Sequence, residues 1–221
     1  MNPTVRDEEI QVVAGALTLA GHIHVPQDAM GIVIFAHGSG SSRHSPRNQE
    51  VAKKLNQAGL ATLLFDLLTP AEEANRSNVF DIELLGGRLL DVTKWLATQS
   101  QLKELPVGYF GASTGAAAAL WAAGESVSKI SAIVSRGGRP DLAGAQLSRV
   151  KAPTLLIVGG FDDVVIELNR QAQAELHCEN QLVIVPNATH LFEEPGTLEE
   201  VMELTRDWFL SNFRHKVKPV K

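Results

Sequence analysis

Cysteine is almost missing from this chain: Cys178 is the only one among 221 residues. A lone cysteine cannot close an internal disulfide, which excludes a disulfide-stapled scaffold and fits a reducing, cytoplasmic setting. Its place near an expected helix end reads as a small packing residue. Basic charge is also short, with 20 Lys and Arg against 25 Asp and Glu and a formal net charge of −5. That balance argues against a nucleic-acid surface, which needs a basic stripe. No apolar run approaches the length that spans a bilayer, and residues 1–9 are polar and acidic rather than a secretory leader. Internal repeats, low-complexity stretches and composition breaks are absent. A single domain over residues 1–221, with its core from about 10 to 213, is the expectation.

What the chain does have is a regular alternation of short apolar runs and helical patterns. Residues 10–25 read as two strands with Gly15 and Gly21 at turn or bulge positions. The run at 31–36 is continuously apolar, as expected of a strand buried on both faces of a mostly parallel sheet, and 60–65, 106–110, 130–135, 154–158 and 182–185 read as further strands. Between them, Val51, Ala52, Leu55 and Ala58 repeat at helical spacing behind Ser45-Pro46, an N-cap followed by proline at the first helical position. Ile82, Leu85, Leu89, Val92 and Leu96 do the same, interrupted by Gly86 and Gly87, for which close packing against a neighbour is one reason. Thr197 with Glu200 reads as a capping box opening the last helix. Residues 215–221 form a basic tail expected to be loose. Such alternation predicts an α/β fold with helices on both faces of the sheet.

Gly111-Ala112-Ser113-Thr114-Gly115 stands between the run 106–110 and the small-residue run 116–123. A serine at the tip of a sharp strand-to-helix turn is a nucleophile elbow, and glycines two residues either side remove side chains that would collide there. With 13 serines and 18 glycines in the chain, chance alone supplies about 0.09 such motifs. Two further residues raise the pattern above coincidence. Asp162 and His190 each follow the end of an expected strand, and the chain order Ser, Asp, His is the one associated with this elbow.

The expected roles follow from chemistry. Ser113 attacks a carbonyl once His190 takes its proton, and Asp162 orients and stabilises the imidazole. Asp163 and Asp66 are the rival acids. The backbone N–H groups of Thr114 and Ser39, the latter to within one residue, would hold the oxyanion. His37, Arg43 and Arg136 are candidate substrate contacts, although His37 also reads as structural. Arg43, His44 and Arg47 would either meet an acidic substrate group or brace their loop. His22 and His24 share a strand face without the further ligands a metal needs. No metal or organic cofactor is expected, and residues 69–78 are the only stretch that could form a short lid.

The segments Phe35-Ala36-His37-Gly38-Ser39-Gly40, Gly111 to Gly115, Gly159-Gly160-Phe161-Asp162 and Ala188-Thr189-His190 resemble the α/β-hydrolases, in particular the dienelactone-hydrolase-like group of small hydrolases. The resemblance runs from about Val13 to Phe213. It implies an eight-stranded, mostly parallel sheet with the second strand antiparallel, and esterase or lactonase chemistry; no large cap domain is expected, because every segment after 69–78 is used by the core. True dienelactone hydrolases carry cysteine where this chain has Ser113. The resulting expectation is a serine hydrolase of small carboxylic esters or lactones, working as a monomer or homodimer. A thioesterase or acyltransferase with the same residues, and a catalytically silent binding protein, are the alternatives.

Overall fold

A computed structural model of the chain describes residues 4–126 and 129–214; the basic stretch 215–221 lies outside the described residues. Eight strands form one sheet in the order β1-β2-β4-β3-β5-β6-β7-β8. They are β1 (Thr4–Ala14), β2 (Leu17–Pro26), β3 (Ile32–Ala36), β4 (Ala61–Phe65), β5 (Val107–Ala112), β6 (Ile130–Arg136), β7 (Thr154–Gly159) and β8 (Asn180–Val185). β2 runs antiparallel to both β1 and β4, and the remaining pairings are parallel. The expected runs become the central strands: every residue of β3, β4, β6 and β7 is buried.

Among the described residues the sheet is accompanied by six α-helices: α1 (Pro46–Gln57), α2 (Pro70–Glu73), α3 (Ile82–Leu96), α4 (Thr114–Glu125), α5 (Asp163–Glu175) and α6 (Thr197–Arg214). Strand alternation splits the core in two. Ile32, Ile34, Tyr109 and Ile133 pack under α3 and α4. Val33, Phe35, Phe110, Ala132 and Val134 pack under α1 and α6, with the Phe35 and Phe110 rings 4.8 Å apart. Cys178 lies beside the first of these layers, partly buried, and burial holds its thiol protonated by raising its pKa.

Helix ends mostly follow the local chemistry. Ser45 caps α1 by accepting from the N–H of Asn48. The expected capping box at Thr197 is not formed: Thr197 is already helical, its hydroxyl donates back to the Glu194 carbonyl, and the Glu200 N–H goes to Gly196. A capping box does form at Thr69 and Glu72, opening α2. This short helix is pinned to α3 by Glu72 and Arg88 at 2.5 Å, and Asn78, in the turn that precedes α3, donates to the Glu72 carbonyl. The segment 69–78 is therefore anchored, and no cap domain occurs among the described residues.

The glycine pair in α3 has two different explanations. A Cβ on Gly86 would lie 2.4 Å from the Trp121 ring, so this glycine lets α3 approach α4. A Cβ on Gly87 would meet nothing within 4 Å. Gly86→Ala should therefore cost about 1–3 kcal/mol through overpacking. Gly87→Ala should stabilise by about 0.8 kcal/mol through helix propensity. Urea unfolding of the two variants beside the parent checks both signs.

Candidate active site

Parallel pairing aligns the strand ends: Ala36 lies opposite Gly111, Ala112 opposite Arg136, and Gly159 opposite Val185. Their exit loops therefore share one rim, as open α/β sheets require of a ligand site. Ser113 stands at this rim with φ 52° and ψ −122°, a left-handed conformation that costs a non-glycine residue on the order of 1–3 kcal/mol. The surroundings impose it. A Cβ on Gly115 would sit 2.1 Å from the Ala36 carbonyl oxygen, and one on Gly111 would sit 2.4 Å from the Ala116 Cα. The turn is also clamped from β6: the Ser113 N–H donates to the Arg136 carbonyl at 3.3 Å, and the Arg139 N–H donates to the Ser113 carbonyl at 3.1 Å.

The exits of β7 and β8 are zipped together. Gly160 N–H donates to Val185 and Phe161 N–H to Ala188. At Gly159 a Cβ would fall 2.5 Å from two carbonyl oxygens of the other loop. This contact delivers Asp162 to His190, whose Nδ1 lies 2.6 Å from Asp162 Oδ2. Asp162 occupies the N-cap of α5 yet makes no capping bond, because its carboxylate faces the imidazole instead. Of the rival acids, Asp163 is exposed at the first turn of α5, and Asp66 is held by Arg43. The His190 ring lies over Gly137, whose added Cβ would be 3.6 Å from Cε1; Gly137 directly follows the residue that binds the Ser113 N–H. No hydrogen bond joins His190 to the Ser113 hydroxyl.

The loop after β3 passes close over the serine: a Cβ on Gly38 would lie 3.0 Å from Ser113 Cβ. The expected oxyanion donor on this loop is not free. Ser39 donates its N–H to Thr114 Oγ1 at 2.9 Å, so it reaches a substrate oxygen only by sharing or releasing that bond. The Thr114 N–H opens α4 and has no carbonyl a turn earlier to bind. A cavity of about 80 Å³ runs from residues 38–42 to Pro70, Glu73 and Val79, without Ser113 in its lining.

Two candidate substrate contacts are bonded within the chain. His37 uses both ring nitrogens internally: Nδ1 donates to the Gly38 carbonyl at 3.0 Å, and Nε2 accepts the Leu67 N–H at 3.0 Å. Arg43 turns away toward Asp66 at 2.5 Å and Glu9 at 3.1 Å. The Arg136 side chain, by contrast, is buried without a hydrogen bond or ion pair, and burial beside Arg47 pushes its pKa down to about 10. His22 lies between Asp7 and Glu9, and no cluster with metal-binding geometry occurs among the described residues. Sequence reading missed Asn169, a fully buried amide on α5 that donates to the carbonyls of Gly138 and Val165 and so holds the 136–139 loop. Its polarity inside an otherwise helical apolar stripe was the available signal.

Residues 29–209 match the family described as Alpha/beta hydrolase domain. The chain belongs to that family. It is similar to a structure described as dienelactone hydrolase from Anabaena variabilis, at 53% identity and a TM-score of 0.91, over 94% of this chain and 98% of that one. This similarity places it in the dienelactone-hydrolase-like group of α/β-hydrolases. Est1E from Butyrivibrio proteoclasticus shares the fold at 16% identity and a TM-score of 0.78, over 93% of this chain and 99% of that one. Two Mycobacterium tuberculosis proteins, provisionally named phosphoribosyl transferases, are 65% identical over 96% of this chain. The chain spans about half of their length, 48%. No described helix is long and apolar enough to cross a membrane.

The bonding of His37 has a pH consequence. Burial lowers its pKa below the ordinary 6.5, against the opposing pull of the Gly38 carbonyl, Asp66 and Glu73. The unfolded chain then binds a proton that the folded chain resists, so stability falls as pH drops below about 6.5. The melting temperature should decline between pH 7 and pH 5, and His37→Gln should flatten that slope even though it lowers the starting value.

Proposed function

We propose that this α/β-hydrolase cleaves small carboxylic esters or lactones through an acyl-enzyme on Ser113. The observation that carries the reading is the 2.6 Å contact between His190 and Asp162 on the loops flanking a strained, left-handed Ser113. In this mechanism His190 Nε2 accepts the serine proton as Oγ attacks the carbonyl carbon. Asp162 holds the other ring nitrogen and stabilises the imidazolium. The developing oxyanion is met by the Thr114 N–H and, once it leaves Thr114 Oγ1, by the Ser39 N–H, each donor worth about 3–4 kcal/mol in such sites. His190 then protonates the leaving alcohol, and the same base activates the water that releases the acid.

The separation of His190 from the hydroxyl is compatible with this scheme, because catalytic hydrogen bonds in free enzymes are often long and tighten around substrate. No cap domain covers the site among the described residues, which supports short or accessible acyl groups over long lipids. Ser113, where true dienelactone hydrolases have cysteine, supports esters over their own substrate. The transferase name of the mycobacterial relatives belongs to proteins twice as long as the stretch they share with this chain. We assign hydrolysis to the shared half, with cytoplasmic location and freedom from cofactors as part of the same reading.

A fluorophosphonate probe should label the wild-type protein and leave Ser113→Ala unlabelled; folded wild-type protein that resists the probe overturns the enzymatic reading. On p-nitrophenyl esters, acetate and butyrate should be cleaved faster than palmitate. Asp162→Asn should lower kcat by about 10⁴, whereas Asp163→Asn should leave it close to wild type. A reversed order of these two variants would move the acid to Asp163.

A further inference from the structure

Beside Ser113 lies a concentration of positive charge that the proposed acyl chemistry does not use. On β6, Ala132 and Val134 point into the layer under α1 and α6. Arg136, two residues further, faces the same way at the mouth of that layer. It is 8% exposed, and its Nε and Nη1 have neither solvent nor a hydrogen-bond partner. From the opposite side comes Arg47, the second residue of α1. Its Nη1 pairs with Glu193 at 3.1 Å, while its Nε is buried and unpartnered. Arg47 is close enough for its charge to act on Arg136.

The rest of the setting adds to the field. The first turn of α1 carries no acidic residue, so no carboxylate there offsets the positive end of the helix dipole, although Ser45 already takes the Asn48 N–H. Asn48 in the same turn is 2% exposed. Glu193, exposed at the rim, is the only carboxylate among the described residues that pairs with either arginine. Burying one guanidinium without a counter-ion is unfavourable, and two that repel each other more so. Their planar forks suit an oxygen-rich anion, carboxylate or phosphate. The place matters as well: the Arg136 carbonyl receives the Ser113 N–H, and the next residue underlies His190.

We propose that Arg47, Arg136 and the first turn of α1 form an anion subsite next to Ser113, which receives the carboxylate or phosphate group of an acidic ester substrate. That the anion is part of the substrate rests on the esterase reading; that the subsite binds an anion does not. The two statements are tested separately.

Binding is measured on Ser113→Ala protein by calorimetric titration with inorganic phosphate and with succinate. Saturable binding of either is expected, weakened by about tenfold or more in the Arg136→Met and Arg47→Met versions and less in Arg136→Lys. Arg47 lies nearer the surface than Arg136, so its variant keeps the test decisive if Arg136→Met fails to fold. No binding by folded Ser113→Ala protein overturns the subsite, whatever the ester assays give. On the active enzyme, kcat/KM for p-nitrophenyl hemisuccinate should exceed that for p-nitrophenyl butyrate, and this ratio should collapse in Arg47→Met. Binding without such a ratio overturns the substrate assignment and leaves a free-anion site. Binding without any ester hydrolysis overturns the esterase reading alone.

Discussion

The steric limit at the turn between β5 and α4 governs the rim. The start of α4 packs against the end of β3 so closely that a single methyl at position 115 would overlap the Ala36 carbonyl. With the helix fixed there, the chain leaving β5 has to turn through a left-handed residue, and that residue is Ser113. The strain is held by bonds on both sides of the serine, one to each flank of the β6 exit loop. Rigid backbone of this sort places a hydroxyl more reproducibly than a flexible loop does, which is the condition for a reacting group to be held near attack geometry.

A second consequence concerns where local stability has been given up. Asp162 stands in the N-cap position of α5, where a side-chain bond to the helix would contribute about 1 kcal/mol. It forgoes that bond for His190. Arg136 remains buried without a partner. Yet a few residues away, polar groups are fully satisfied: His37 uses both nitrogens, and Arg43 holds Asp66 through its side chain and its backbone N–H. Asp162 and Arg136 thus both give up a local partner at the rim that carries Ser113, where departures from local optimality are expected when a surface has work to do.

Much of this architecture could be read in advance, because its signals are local. Strands buried on both faces announce themselves as apolar runs, and Ser113, Asp162 and His190 could be placed by counting residues past their ends. The unread parts lacked a local signal. Residues 4–9 pair with β2 as an edge strand, and exposure on both faces leaves no hydrophobic alternation to find. The 3₁₀ segment Pro140–Arg149 is irregular, with Gly144 at φ 54° inside it. The bond from Ser39 to Thr114 and the approach of Arg47 to Arg136 join segments far apart in sequence, so only the folded sheet brings them together.

The Ser39–Thr114 bond changes how the rim should be thought of. Were the loop after β3 merely draped over the serine, its N–H groups would be mobile and a poor match for a transient charge. Instead one hydroxyl, on the residue next to the serine, holds that loop in place at 2.9 Å. In the proposed acyl chemistry, a carbonyl oxygen entering beside the Thr114 N–H would compete for the Ser39 N–H with a neutral hydroxyl, and would compete better as negative charge builds on it. The transfer of that donor would therefore be weakest with a ground-state ester and strongest with the tetrahedral species. Such a difference between ground state and transition state is what accelerates a reaction, whereas equal binding of both does not.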